Sequence, residues 1–296
     1  MNKGIWYGIG AYVTWGLFPI YWKWLHHVPA LQLISHRIVW SFVLLVVFIL
    51  ASRQWKVFRA AVLEPRVLRI YFVAAILIGV NWLVYIWAVN ADFIVEVSLG
   101  YYINPLLNVL MGVLFLRERL RSLQWVPLGL AAAGVFYLTW AYGSLPWIAL
   151  TLAFSFGLYG LVKKTAPLGS LYGLTLETGL LFLPALLYLL YSDVTGRGAF
   201  LHTSAISDAL LMGAGLMTTI PLLMFASAAR SIPLSLVGIL QYIAPTLQFL
   251  LGVLVYGEPF THVQLVGFGM VWVALVLFAV EGFASRRAQL VSAAAK

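Results

Sequence analysis

Apolar runs of about twenty residues recur from one end of this chain to the other, and the stretches between them are too short to build a soluble domain. A run of that length, wound as an α-helix, crosses roughly 30 Å of hydrocarbon. Inside a bilayer each backbone polar group needs a partner within its own segment, so such runs are helices. Ten of them can be placed, at about 4–25, 30–51, 69–89, 95–116, 123–141, 145–162, 171–191, 207–229, 234–256 and 263–283. The composition agrees. The chain is 63% apolar and only 9% charged, where a soluble domain carries roughly a quarter of its residues as charges. The expectation is an all-α integral membrane protein with ten transmembrane helices and short loops, the longest near 52–68 and 192–206.

The charges give that bundle a direction. The net charge is +9, which in a soluble protein would raise the question of nucleic acid. Here the basic residues fall on one side of the predicted topology. If the N-terminus is cytoplasmic, the inside loops hold Arg53, Lys56, Arg59, Arg66, Arg117, Arg119, Arg121, Lys163, Lys164 and Arg230, while the outside loops hold Arg197. Basic residues in short loops set insertion direction. Both termini are therefore expected in the cytoplasm, and no nucleic-acid partner is expected.

Cysteine is absent, which excludes disulfides and thiolate chemistry. No acid or histidine cluster has metal-ligand spacing, no Ser–His–Asp arrangement is readable, and no glycine-rich phosphate loop occurs. Neither an enzyme nor a cofactor or metal is expected.

One phrase occurs twice. From Tyr102 to Gly129 against Tyr242 to Gly269, an offset of 242 − 102 = 140, twelve of 28 positions are identical. Apolar matches are cheap in a membrane protein. The informative ones are Tyr102/Tyr242, Pro105/Pro245, Gly112/Gly252, Glu118/Glu258 and Gln124/Gln264. A fainter echo pairs "TWGLF" at Thr14 with "SFGLY" at Ser155. This offset puts five segments in each half, at 1–141 and 142–284, followed by a cytoplasmic tail at 285–296. Five is odd, so the second half enters the membrane in the opposite sense. Two inverted five-helix repeats are the design of secondary transporters working by alternating access.

The blocks "SHRIVWS" (35–41), "NWLVYIWAVN" (81–90), "SLGYYINPLLNVLMGVLFLRERL" (98–120), "TTIPLLMFASAAR" (218–230) and "LQYIAPTLQFLLGVLVYGEPF" (240–260) resemble the drug/metabolite transporter (DMT) superfamily, in particular EamA-type proteins of the RarD kind. The resemblance covers nearly the whole chain. It implies a ten-helix carrier in the bacterial inner membrane for small organic metabolites or drugs, more often an exporter, with a family association with chloramphenicol sensitivity. An uptake permease, or a non-transporting receptor or scaffold, is the alternative. Partners would be a small-molecule substrate, the lipid bilayer and protons, with the chain a monomer or homodimer.

Ionisable groups at membrane depth each need a partner. Arg37 lies near the outer surface on the second segment, with Asp92 and Glu96 nearest in depth. Glu177 lies near the inner surface on the seventh, with Arg230 nearest in depth. Either these form two gates that close alternately, or they are permanent structural groups. His36, beside Arg37, either carries a coupling proton or is a hydrogen-bonded structural residue. Tyr101, Asn104 and Asn108 share one helix face, and Gln241, Ala244 and Gln248 repeat it in the second half beside Tyr242. Such a polar stripe either lines the substrate pathway or joins helices. Asn81, Trp82 and Tyr85 are further binding candidates by depth. Pro105, Pro221 and Pro245 lie inside segments and are candidate hinges. Trp6, Trp22, Trp24, Trp55 and Trp147 lie near segment ends and are expected as interface anchors.

Overall fold

The computed structural model describes residues 3–90, 94–142, 147–255 and 261–294, and every described element is helical. In chain order these are α1 (Lys3–Trp24), α2 (Ala30–Ala51), α3 (Trp55–Val62), α4 (Pro65–Asn90), α5 (Ile94–Leu116), α6 (Trp125–Tyr142), α7 (Trp147–Thr165), α8 (Ser170–Val194), α9 (Ala205–Ser231), α10 (Leu234–Gln241), α11 (Ile243–Leu250) and α12 (His262–Ala294). A 3₁₀ turn, Ser122–Gln124, leads into α6, and a π turn, Leu251–Val255, follows α11.

Helix covers the ten apolar runs to within a turn at either end. Seven of these stretches are long and apolar enough, by length and hydropathy, to cross a membrane; α1 and α7 are not among them, and α5 offers only the shorter run Gly100–Leu116. The reason is composition. α1 is crowded with tryptophan and tyrosine, and α7 ends on Lys163 and Lys164, so neither scores as pure hydrocarbon. The chain is a multi-pass membrane protein.

Three boundaries differ from expectation. The 52–68 stretch is not a plain loop, because α3 forms within it and buries Phe58 against Tyr172, ring centroids 5.6 Å apart. α4 starts at Pro65, a residue suited to the first turn of a helix because its missing N–H has no helical partner there. Helix α12 continues through the predicted tail to Ala294.

The second copy of the repeated phrase is broken where the first is continuous. Pro105 sits within α5 and Pro221 within α9, both unbroken, whereas α10 ends at Gln241 and α11 starts at Ile243. Pro245 contributes to the break without accounting for it alone, since Pro105 holds the matching place in the continuous α5. The Pro245 ring clashes with the carbonyl four residues back, that of Gln241. At the junction the ladder tightens, Tyr242 N donating to Ile239 O at 3.3 Å, and restarts with Thr246 N on Tyr242 O at 3.2 Å.

The ends of α2, α5, α7 and α9 gather with the starts of α4, α8 and α10 at one end of the bundle. Tyr172 donates to Gln54 Oε1 at 2.6 Å there, and Ser227 to Ser170 at 3.0 Å. Arg53, Lys56, Arg66, Arg119 and Arg230 all lie at this basic end. Across the bundle, α1 packs on α9 and α11 while α7 packs on α4 and α5; α2 packs on α8 and α9, α4 on α8, α5 on α10, and α6 on α12.

The conserved spelling of the repeat has a structural use in its first copy. Arg117 adopts a left-handed backbone, φ 54°, which turns the chain so that Glu118 N donates to Gly112 O at 3.0 Å. The Glu118 carboxylate then accepts from Leu234 N (2.6 Å), Ser235 N (3.0 Å) and Ser235 Oγ (2.7 Å), capping α10. These are donors a helix start leaves without partners, and a negative charge suits the positive end of the helix dipole. A Cβ on Gly112 would sit 2.6 Å from Glu118 Oε2, so the cap requires glycine there.

Candidate functional site

A cavity of about 290 Å³ lies within the bundle, lined from seven of its helices and α11. Helix α1 lines it with Tyr12, Trp15, Phe18, Pro19 and Trp22; α2 adds Arg37, and α4 adds Asn81, Trp82 and Tyr85. Tyr101 comes from α5, Phe156 from α7, Leu222 from α9, and Gln241, Ala244, Pro245 and Gln248 from α10 and α11.

Arg37 is the cation of this cavity. Its Cζ lies 5.0 Å from the Trp22 ring centroid and 5.1 Å from that of Trp82, so two indoles flank the guanidinium. Its Nε donates to Thr218 Oγ1 at 2.9 Å, and that hydroxyl donates to Ala214 O at 2.8 Å. Cation–π contacts compensate a desolvated charge without neutralising it. Asp92, one of the two acids expected near Arg37, lies outside the described residues, and of Glu96 only the backbone, in α5, lies within them.

Toward the basic end the cavity stops on an aromatic floor. Trp15 packs on Phe156 (5.8 Å) and Phe225 (5.7 Å), Phe156 on Phe225 (5.2 Å), and Tyr159 stacks on Phe225 at 6.1 Å with an interplanar angle of 13°. Below the floor is a buried ion pair. Lys163 Nζ lies 2.8 Å from Glu177 Oε1, with side-chain exposures of 3% and 1%. Tyr159 donates to the other carboxylate oxygen at 2.9 Å, and Lys163 Nζ sits over the Tyr71 and Tyr159 rings at 5.6 and 5.7 Å.

This corrects the expected partner of Glu177. Arg230 Nη1 instead donates to Ala166 O and Leu168 O, both at 2.6 Å. Lys163, counted from sequence as a loop residue, is drawn inward because it is the group that satisfies the buried carboxylate.

The polar stripe divides. Asn81, Trp82, Tyr85, Tyr101, Gln241 and Gln248 line the cavity, whereas Asn104, Asn108 and Tyr242 are buried between helices. Asn108 Nδ2 donates to Gln241 Oε1 at 2.7 Å, which ties α5 to α10. Tyr242 donates to Tyr102 O at 3.3 Å. Within the lining, Asn81 is anchored on Leu152 O (2.9 Å) and Ser155 Oγ (3.0 Å), and Gln248 on Trp15 O (3.1 Å). His36 turns away from Arg37 and lines a separate space of about 260 Å³ with Trp40, Asp193 and Phe200. Its ring lies 5.1 Å from Phe200, and its Nδ1 has no hydrogen-bond partner among the described residues.

Comparison with known proteins gives this arrangement a family. The EamA-like transporter family matches residues 2–140. Protein RarD of Escherichia coli (strain K12) is 41% identical over 286 residues, 97% of this chain and 97% of its own. The chain belongs to the RarD-like branch of the EamA family, within the drug/metabolite transporter superfamily. An uncharacterized transporter of Bacillus subtilis (strain 168), YojE, is 50% identical over 282 residues, covering 94% of this chain and 93% of its own. The chloramphenicol-sensitive protein RarD of Pseudomonas aeruginosa is 32% identical, with 93% of each chain covered. A solved structure with 18% identity superposes with a TM-score of 0.70 over 94% of this chain and 98% of its own, a likeness of fold alone.

Sequence reasoning missed the largest contribution to the cavity of this RarD-like transporter, that of α1. Trp22 was expected at the membrane interface and instead stacks on Arg37; Trp6, Trp24, Trp55 and Trp147 are exposed as expected. A signal was present, since Tyr12, Trp15, Pro19 and Trp22 follow at helical spacing along one face.

Proposed function

We propose that this EamA-family chain is a secondary carrier for small organic solutes, built as two inverted five-helix halves (1–141 and 142–284) that cross the bacterial inner membrane ten times, with both termini in the cytoplasm. The observation that carries the reading is the cavity itself. Both halves line it, and it ends on an aromatic floor backed by a buried ion pair at the basic end. By the distribution of basic residues that end is cytoplasmic, so this is the outward-facing arrangement.

The packing supports the inversion. Interchanging α1, α2, α4, α5 and α6 with α7, α8, α9, α10–α11 and α12 carries α1–α9 into α7–α4, α1–α11 into α7–α5, and α2–α9 into α8–α4. The pairs α2–α8, α5–α10 and α6–α12 are carried into themselves. A frame that exchanges with itself has two equivalent ways to open. The EamA match to residues 2–140 has the length of one such half.

The working cycle is export by proton antiport. Glu177 is the coupling group. Breaking its pair with Lys163 frees the floor of the cavity to part toward the cytoplasm. The name of the Pseudomonas aeruginosa relative makes chloramphenicol one solute to include.

The test is flux of a panel of small amphipathic solutes, chloramphenicol among them, in proteoliposomes under an imposed pH gradient. Gradient-driven accumulation in the export direction supports the reading. Accumulation in the opposite direction makes the chain an uptake permease, and the absence of any flux leaves a receptor or scaffold.

A further inference from the structure

The carrier reading leaves the charge of the solute open, and the surroundings of Arg37 bear on it. Arginine keeps its charge at neutral pH wherever a protein places it. Here the guanidinium lines the cavity and not a loop. Its contacts orient it without cancelling it. The Trp22 and Trp82 ring centroids lie 5.0 and 5.1 Å from its Cζ, and Thr218 takes Nε. A guanidinium donates in its own plane, and the hydrogen bond it makes among the described residues is the one from Nε to Thr218, which leaves its outer N–H edge, the two Nη groups beside Tyr85 and Tyr101, to donate to a ligand. Among the described residues no carboxylate meets that edge, and no described residue lining the cavity is an acid.

Indole faces stabilise a cation by less than the cost of burying it without a counter-charge. A ligand that brings a carboxylate to the two Nη groups makes two parallel charge-assisted hydrogen bonds, the strongest pairing open to arginine. The rest of the cavity suits the other end of such a ligand. Trp15, Phe18 and Phe156 offer flat apolar surface. An ammonium group would meet amide oxygens and aromatic faces there, but no acid among the described lining residues, and it would share the cavity with the positive charge of Arg37.

We propose that the solute carried in this cavity is an organic monoanion, its carboxylate held by the N–H edge of Arg37 and its flat apolar body lying on the aromatic wall. The proposal rests on the carrier reading for its biological meaning and not for its physical test. Arg37 is a binding residue in it, and Trp22, Trp82 and Thr218 are positioning residues that hold the fork at a fixed angle.

Equilibrium binding to the full chain in lipid nanodiscs, followed by tryptophan fluorescence and by calorimetry, separates the two. The probes are phenylpropanoate, its neutral amide phenylpropanamide, the zwitterion phenylalanine and the cation phenethylammonium, which share a phenyl body and differ in charge. The acid is expected to bind about tenfold or more tighter than the amide, as charged hydrogen bonds usually give. The zwitterion should fall below the acid and the cation lowest. R37Q should erase the difference between acid and amide, and R37K should keep part of it, because an ammonium supplies the charge but not the fork. T218V should weaken the acid several-fold and leave the amide unchanged. Should R37Q not fold, R37K and T218V still decide the matter.

Equal binding of acid and amide overturns the proposal, as does failure of all four probes to bind. So does a preference for the acid that emerges only in D92N or E96Q, since Arg37 would then be neutralised within the protein. Binding of the anion with no flux in proteoliposomes would sink the carrier reading alone, and flux of solutes regardless of charge would sink this inference alone.

Discussion

Lys163 and Glu177 form an ion pair at 2.8 Å, one on α7 and one on α8, with almost no exposure on either side chain. Removing one member leaves the other charge buried alone, which in such sites costs about 3–5 kcal/mol. E177Q and K163M are each expected to lower the thermal midpoint of the purified protein sharply. The double variant K163M/E177L, with both charges gone, is expected to recover most of it. Exchanging the charges of Glu177 and Arg230 should recover nothing, because Arg230 is spent on the carbonyls of Ala166 and Leu168. Recovery by that exchange would contradict the geometry.

The Glu118 cap predicts a second pattern. E118Q keeps the shape of the side chain and loses the charge on three hydrogen bonds to α10, at a cost of roughly 1–3 kcal/mol. G112A should cost a comparable amount by a different route, pushing the carboxylate off its cap. Because both act on one contact, the double variant should be little worse than the more damaging single one. Full additivity in denaturation midpoints would mean the two residues act separately.

Asn108 on α5 and Gln241 on α10 meet at 2.7 Å. A double-mutant cycle with N108A and Q241A, read by unfolding in detergent, should give a coupling of roughly 0.6–1.7 kcal/mol, the range for hydrogen bonds between membrane helices. The cavity face of Gln241 adds a second effect. Q241A should alter solute affinity, and N108A should do so only weakly, since Asn108 is outside the lining.

A chain without cysteine allows single cysteines to be read cleanly. R119C and T203C, both at exposed positions, should react with an impermeant maleimide from opposite faces of the membrane in oriented vesicles. A244C, in the cavity lining, should react from the side of T203C. Phe225→Ala, which removes a fully buried ring from the floor, should raise its reaction from the other side. Reaction of A244C from the side of R119C in the otherwise unaltered chain would reverse the assignment of the open end.

Hydropathy alone made the helical stretches legible, because every span must close its own backbone hydrogen bonds. The partner of Glu177 was not. Depth along the membrane pointed to Arg230, and depth ignores direction around a helix. Lys163 was hidden by standing next to Lys164 at the end of an apolar run, where two lysines read as a loop. Tyr159, four residues before it on the same face, now shares its contact with Glu177, and that spacing was the available clue. The lining from α1 was missed for a related reason. Aromatic residues near a span end have two uses, and only the packing of α1 on α9 and α11 decides that Trp22 faces Arg37. α3 escaped notice because its eight residues are too short to span a bilayer and its Lys56 and Arg59 read as loop charges, although its apolar residues fall on one face.

A lever needs a point that stays still. The crossing of α5 and α10 has the marks of one. A Cβ on Gly238 would come within 2.6 Å of Pro105 O, so the two backbones touch, and Glu118 and Asn108 fasten them above and below. Any motion that opened this contact would break charged and buried hydrogen bonds together. The outer helices can tilt at far smaller cost. The doubled phrase in the sequence therefore spells the tightest crossing of the bundle, the place where relative movement of two helices would cost most.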